Sequence, residues 1–180
     1  MKHGKTALML KAFGFDDCAV LDGGLRSWQS AGFQIDTGPA PSRPKTNFKG
    51  TPRPEMVADL ARMEEALGDG TCVINALSPG NHDGSEEHYG RPGHLPGAAN
   101  VYALHLLDPV THCYLPKAQL EALFDEITSE GQSIVTYCGG GIAATSDAFV
   151  LKALLGRDDV TVYDGSLSEW LLDPNRPLEV

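Results

Sequence analysis

IVTYCGGGIAATSDAFVLKALLG, residues 134–156, decides the fold. Four strand-forming residues run into Cys138, three glycines follow, and a helical pattern of apolar residues comes next. β-Branched and aromatic residues favour a strand, and apolar residues three and four apart favour a helix. A strand-to-helix connection is short and needs little glycine. Three glycines in a row strip the backbone of side chains, which allows another group to approach it closely. The stretch therefore predicts a strand over 133–137, a helix over about 143–155, and a loop between them built for close approach.

Upstream, the same alternation continues. Residues 54–67 (PEMVADLARMEEAL) read as an amphipathic helix with a proline near its first turn. Residues 71–76 (TCVINA) read as a buried strand, 82–95 as a polar, glycine-rich loop, 99–101 as a short strand and 117–127 as a helix. Strands alternating with helices predict an α/β domain of three layers, a parallel sheet covered on both faces.

One stretch near the start repeats the end of this pattern. GFDDCAVLDGGLRSW (14–28) and GRDDVTVYDGSLSEW (156–170) align without a gap at an offset of 142, with eight identities in fifteen positions. An apolar helical stretch precedes each copy (ALMLKAFG and AFVLKALLG), a short strand follows (CAVL and VTVY), and a helix carrying Trp28 or Trp170 closes each. A period this long signals duplicated domains and not a solenoid. The counterpart of Cys138 in the first copy would lie before Met1. We therefore expect residues 1–36 to be the C-terminal remnant of a first domain, 37–53 (TGPAPSRPKTNFKGTPR) a linker rich in Pro and Gly, and 54–180 a complete domain.

Composition narrows the partners. Of 180 residues, 42% are hydrophobic and 21% charged, ordinary for a globular chain. The net charge of -10 argues against nucleic acid and anionic membrane, both of which ask for a basic surface. No apolar run approaches the roughly 20 residues that span a bilayer, and the start lacks a small-residue cleavage site. The four cysteines (Cys18, Cys72, Cys113, Cys138) form no CxxC pair, which argues against zinc, and no other metal or cofactor is expected. Reduced thiols in a cytoplasmic protein are the expectation, with Cys18 and Cys72 as small core residues.

In a parallel sheet, ligands bind beyond the carboxyl ends of the strands, where Cys138 falls. The amides of Gly139, Gly140, Gly141, Ile142, Ala143 and Ala144 precede or open the helix and lack helical partners, so they can ring an anion. Such a position lowers a cysteine pKa from about 8.5 into a range of roughly 3.5 to 7.5. A phosphatase loop needs an arginine six residues after its cysteine, to hold phosphate through two bonds, and that position is Ala144. A thiol protease needs a histidine base and an open acyl site; candidate histidines exist, but the loop surrounds the sulfur with donors. Transfer of a sulfur atom through a persulfide needs only a low-pKa cysteine and donors for the persulfide anion.

Three ordered motifs resemble the rhodanese superfamily, in particular the tandem-domain sulfurtransferases of the thiosulfate and 3-mercaptopyruvate type. RPGHLPGAANV (91–101) looks like the family's R-x-G-H-I-P-G-A signature, TYCGGGIAA like its active-site loop, and VYDGSLSEW like its closing signature. The resemblance implies a rhodanese-like fold with a central parallel sheet of about five strands. It implies Cys138 as a persulfide carrier that takes sulfur from a small donor and passes it to a thiol or to cyanide. The sequence departs from the family pattern in three ways. Gly139 and Gly140 stand where thiosulfate-type loops carry basic residues. Gly140 and Ala143 stand where the mercaptopyruvate type carries hydroxyls. Asn75-Ala76-Leu77 replaces the family's Asp-x-Arg.

With that arginine missing, Arg91 and His82, or the nearby His88, are the remaining candidates to bind an anionic substrate. His94 is expected to hold a loop, Arg91 alternatively to pair with a carboxylate such as Asp164, and both tryptophans to anchor their helices in the core. The rival to the enzyme is a rhodanese-fold module that binds or regulates without turnover. Segment 1–36 is expected to dock on the second domain or to mediate a homodimer.

Overall fold

The structure, a computed structural model, describes residues 2–180. Its centre is a parallel sheet of five strands: β1 (Val57–Ala58), β2 (Cys72–Asn75), β3 (Ala99–Asn100), β4 (Ile134–Tyr137) and β5 (Val160–Tyr163). The spatial order is β1-β5-β4-β2-β3, every neighbouring pair is parallel, and the long register runs Cys72 to Ile134 through Asn75 to Tyr137. Strands β2 and β4 are buried at every position, as expected of central strands with both faces covered.

Alternation along the strands splits the core in two. Ile74, Ile134, Val160 and Val162 point to one face, with Leu106, Leu120, Phe124, Ala148 and Leu151. Val73, Val135, Tyr137 and Tyr163 point to the other, with Met63, Leu95, Leu167 and Trp170. Helices α3 (Leu60–Ala66) and α7 (Ser166–Trp170) cover the second face; α5 (Lys117–Phe124) and α6 (Ala144–Phe149), which continues in a wider π turn over Val150–Leu154, cover the first. Trp170 is an anchor as expected, and its Nε1 donates to the Pro177 carbonyl. A short helix α4 (Pro79–His82), N-capped by Ser78, follows β2.

Three local expectations need correction. The helix expected over 54–67 is a 3-10 turn at Pro54–Met56, then the two residues of β1, then α3, whose N-cap Asp59 accepts from the Arg62 amide. The strand expected at 18–21 does not form; no neighbouring strand offers that segment its backbone groups. Trp28, on α2 (Gly24–Ser30), stays 37% exposed, and α2 buries no residue. Helix α1 (Lys2–Ala12), by contrast, packs on α6 with Ala7 and Ala12 buried. The end of the 37–53 stretch ties back to it, through the Thr51 and Arg53 amides on the carbonyls of Phe13 and Ala12 and an Arg53–Asp16 ion pair.

Candidate active site

Cys138 stands one residue past the carboxyl end of β4, at the floor of a pocket of about 530 Å³. Ala76, Leu77 and Ser78 from the end of β2, Asn81, Glu86, His88 and Tyr89 from the stretch after it, Tyr102, and the loop residues Gly139, Gly140, Ile142 and Ala143 complete the wall. The cysteine is 2% exposed, and that exposure is toward the pocket.

The loop hangs from a single hydroxyl. Ser166 Oγ accepts from the amides of Cys138 and Gly141, each at 3.1 Å, and donates to the Tyr163 carbonyl at 2.8 Å. The same oxygen lies 4.0 Å from Cys138 Sγ. Ser166 is fully buried and holds φ at +52°, a left-handed conformation that costs a non-glycine residue roughly 1–2 kcal/mol. Further bonds run from the Leu167 amide to the Cys138 carbonyl and from the Ser168 amide and hydroxyl to the Gly139 carbonyl. Among the described residues, the amides of Gly139, Gly140, Ile142 and Ala143 have no hydrogen-bond acceptor. Polar groups left unpartnered beside a cavity are free to hold a ligand.

Two of the three glycines have a steric reason. A Cβ on Gly139 would collide with the ring and hydroxyl of Tyr89, which therefore lies directly against the loop backbone. A Cβ on Gly141, where φ is +76°, would collide with the Asp164 carboxylate. That carboxylate pairs at 2.7 Å with Lys5 Nζ of α1, which also donates to the Gly140 carbonyl at 3.3 Å. A cation 135 residues away in the chain thus braces the outer side of the loop.

Beneath the loop, on α6, Asp147 is wholly buried, and neither of its carboxylate oxygens has a hydrogen-bond partner among the described residues. Burial, and secondarily the charge of Cys138, push its pKa well above the usual carboxylate range. The neutral acid is the form such a site favours. Tyr89 is likewise pushed up, by burial and then by Cys138.

Arg91 and His82, two of the side chains expected to bind an anion, are not in the pocket wall. Arg91 donates to the carbonyls of Pro174 and Arg176, at 3.1 and 2.9 Å, tying the signature loop to the C-terminal segment. It pairs with no carboxylate among the described residues; Asp164 belongs to Lys5. His82 stacks on His94 with ring centroids 3.7 Å apart, and its Nδ1 lies 3.3 Å from Asn75 Nδ2. Burial, then the neighbouring His94, lower its pKa to about 4. His94 Nδ1 faces the His82 carbonyl at 2.6 Å, the loop-holding role expected of it. His88 does line the pocket, 3.7 Å from Glu86 Oε2. The sequence reading missed Lys5, Ser78, Asn81, Glu86, Tyr89, Tyr102, Asp147 and Ser166. Ser78 alone left a local signal, as the serine before a proline at a helix start.

The described residues hold no cluster of His, Cys, Asp and Glu suited to a metal ion. No helix among them is long and apolar enough to cross a membrane.

Comparison with known proteins gives one picture. The family model described as "Rhodanese-like domain" matches residues 81–173. A probable 3-mercaptopyruvate sulfurtransferase of Pseudomonas aeruginosa is 32% identical over 167 residues, covering 91% of this chain and 58% of that protein. The 3-mercaptopyruvate sulfurtransferase of Rattus norvegicus is 33% identical over 170 residues, covering 91% of this chain and 56% of that one. The chain thus spans little more than half the length of these relatives. Among solved structures, the anaerobic ergothioneine biosynthesis enzyme from Chlorobium limicola, in complex with trimethyl histidine, superposes with a TM-score of 0.85. It is 25% identical, over 98% of this chain and 44% of that one.

Proposed function

Because this chain belongs to the rhodanese-like domain family, we propose that it is a sulfurtransferase working through a persulfide on Cys138. The observation that carries the reading is a cysteine at the floor of a pocket, with four loop amides beside it that have no other acceptor among the described residues. The relatives named as sulfurtransferases support it.

In the first half-reaction the Cys138 thiolate attacks the sulfane sulfur of a small donor of the 3-mercaptopyruvate or thiosulfate type. The bond from that sulfur to the rest of the donor breaks, and the remainder leaves with the electron pair. In the second, a thiolate or cyanide attacks the outer sulfur, and Cys138 leaves as the thiolate. That the amides of Gly139, Gly140, Ile142 and Ala143 have no other acceptor among the described residues supports a role for them in holding the outer sulfur while it carries negative charge. Ser166 fixes the two amides on either side of the loop and so sets where the sulfur sits. The four cysteines are unpaired, which fits a reducing, cytoplasmic setting.

Intact-protein mass spectrometry after incubation with sulfur donors tests this. A gain of one sulfur on Cys138, removed by cyanide as thiocyanate and absent from Cys138→Ser, is the expected result. No adduct with thiosulfate, 3-mercaptopyruvate or inorganic polysulfide would favour a binding module instead.

A further inference from the structure

The charge of the pocket wall is opposite to what an anionic substrate needs. Among the described residues, Glu86 is the wall's only carboxylate, and no lysine or arginine lines it. Two side-chain donors of the wall are spent on Glu86: Ser78 Oγ donates to Glu86 Oε2 at 3.1 Å, and Asn81 Nδ2 to the same oxygen at 3.3 Å. Those bonds hold the carboxylate in place, and an ordered charge acts more strongly than a mobile one. His88, the wall's only imidazole, lies 3.7 Å from that oxygen.

The basic side chains near the site are turned to other work. Arg91 is bound to two carbonyls outside the pocket, and Lys5 is paired with Asp164 on the far side of the loop. Two tyrosines, Tyr89 and Tyr102, supply ring surface beside the cysteine. Aromatic faces and a fixed carboxylate together attract organic cations. They disfavour an anionic acceptor beside them.

We propose that this pocket takes a small cationic acceptor, an ammonium-bearing thiol, in preference to a neutral or anionic one. The inference rests on the sulfur-transfer reading above for its chemistry, and on the pocket wall alone for its charge preference. The acceptor's thiolate attacks the outer sulfur of the Cys138 persulfide. The S–S bond breaks, its electron pair goes to Cys138 Sγ, and the acceptor leaves as a persulfide; the sulfur count and oxidation level balance. Glu86 and both tyrosine rings line the same pocket as Cys138, so an ammonium group carried by the bound thiol shares the pocket with them.

Two measurements separate the claims. The first uses no sulfur donor: the intact protein is treated with two methanethiosulfonates, one bearing a trimethylammonium-ethyl group and one a sulfonato-ethyl group. Each forms a mixed disulfide with Cys138 and releases methanesulfinate. Peptide mass mapping reads the rate at Cys138 apart from Cys18, Cys72 and Cys113, and each rate is divided by that with free mercaptoethanol. The cationic reagent is expected to win by about 10-fold, as one partly screened carboxylate dictates. Glu86→Gln should shrink the ratio and Glu86→Lys should invert it. Equal rates, faster reaction of the anion, no reaction with either, or a ratio unmoved in Glu86→Gln would each overturn the proposal. The second measurement loads Cys138 with inorganic polysulfide and times its discharge by cysteamine against 3-mercaptopropionate, normalised for thiolate content. If no persulfide forms, the transferase reading fails while the first measurement still decides the charge preference. If persulfide forms and the anionic thiol discharges it faster, the transferase stands and the cationic acceptor falls.

Discussion

Ser166 is the residue to perturb first, because two of its properties pull in opposite directions. Its hydroxyl is the acceptor for the amides of Cys138 and Gly141, yet its backbone sits at φ +52°, where a side chain is unwelcome. The repeat supplies a control within the same chain: Gly24, at the matching position of the first copy, has φ +62°. There the fold uses glycine at the same left-handed backbone position.

Ser166→Ala removes the hydroxyl and keeps the strain. It leaves two buried amides without an acceptor, at roughly 1–3 kcal/mol each before relaxation, so a total loss of about 2–4 kcal/mol is expected. Ser166→Gly removes the same hydroxyl and relieves the strain, which returns about 1 kcal/mol. Urea denaturation should therefore rank the parent first, glycine second and alanine third. Reactivity should rank differently: iodoacetamide should alkylate Cys138 more slowly in both variants, because both release the loop amides. A glycine variant that recovers stability without recovering reactivity identifies Ser166 as a positioning residue. If alanine proves as stable as glycine, or either variant alkylates at the parent rate, the account of the loop's suspension is wrong.

Stability should depend on pH in opposite senses through His82 and Asp147. Because the His82 pKa falls to about 4 in the fold, the unfolded chain takes up the proton first. Stability then drops as pH falls from about 6.5 to 4, by on the order of 1–2 kcal/mol once screening at this half-buried ring is allowed for. His82→Asn should flatten that limb. Asp147 has a raised pKa, so its unfolded form loses the proton first, and stability falls as pH climbs above about 3.8. Relative to the parent, Asp147→Asn should become progressively more stable between pH 4 and 8, and denaturation midpoints across that range check both signs. In the loop, a methyl group added at Gly140 would meet only Ser168 Oγ, at 3.6 Å, and the backbone there is not left-handed, so Gly140→Ala should fold and melt as the parent does. Gly141→Ala should lose at least about 1 kcal/mol from backbone strain alone, and Gly139→Ala should displace Tyr89, seen as a change in tyrosine fluorescence.

How legible all this was in the sequence depends on the range of each interaction. The central strands were legible because β2 and β4 are short runs dominated by apolar and β-branched residues, and the cysteine loop because its glycines are contiguous. Strand β1 was not, since two residues embedded in PEMVADLARMEEAL leave the helical period intact. The Asp59 cap, three residues before Arg62, was the local sign that the helix starts late. Residues 18–21 have strand-forming side chains, but a strand is a pairing and not a propensity, and no partner strand meets them. Arg91 looked like a substrate clamp because its partners are main-chain carbonyls more than 80 residues away, which no local pattern announces. Glu86 belongs to the stretch 82–95, read only as a polar, glycine-rich loop, yet it lines the pocket together with Asn81 of α4.

Lys5 carries the same lesson furthest, because it changes what the first 36 residues are for. Its ion pair with Asp164 is partly exposed on both sides, and such pairs contribute about 0–1 kcal/mol. Stability is therefore a poor reason for its place. What the pair does is geometric: Asp164 fills the space where a Gly141 side chain would stand, and Lys5 holds that carboxylate while also binding the Gly140 carbonyl. The loop is thus tethered from within by Ser166, covered by Tyr89, and braced from outside by a residue of α1. Helix α1 lies just before the first copy of the repeat, yet it packs on α6 and reaches the cysteine loop that precedes the second copy. A segment whose expected strand does not form still braces the backbone of the loop that holds Cys138.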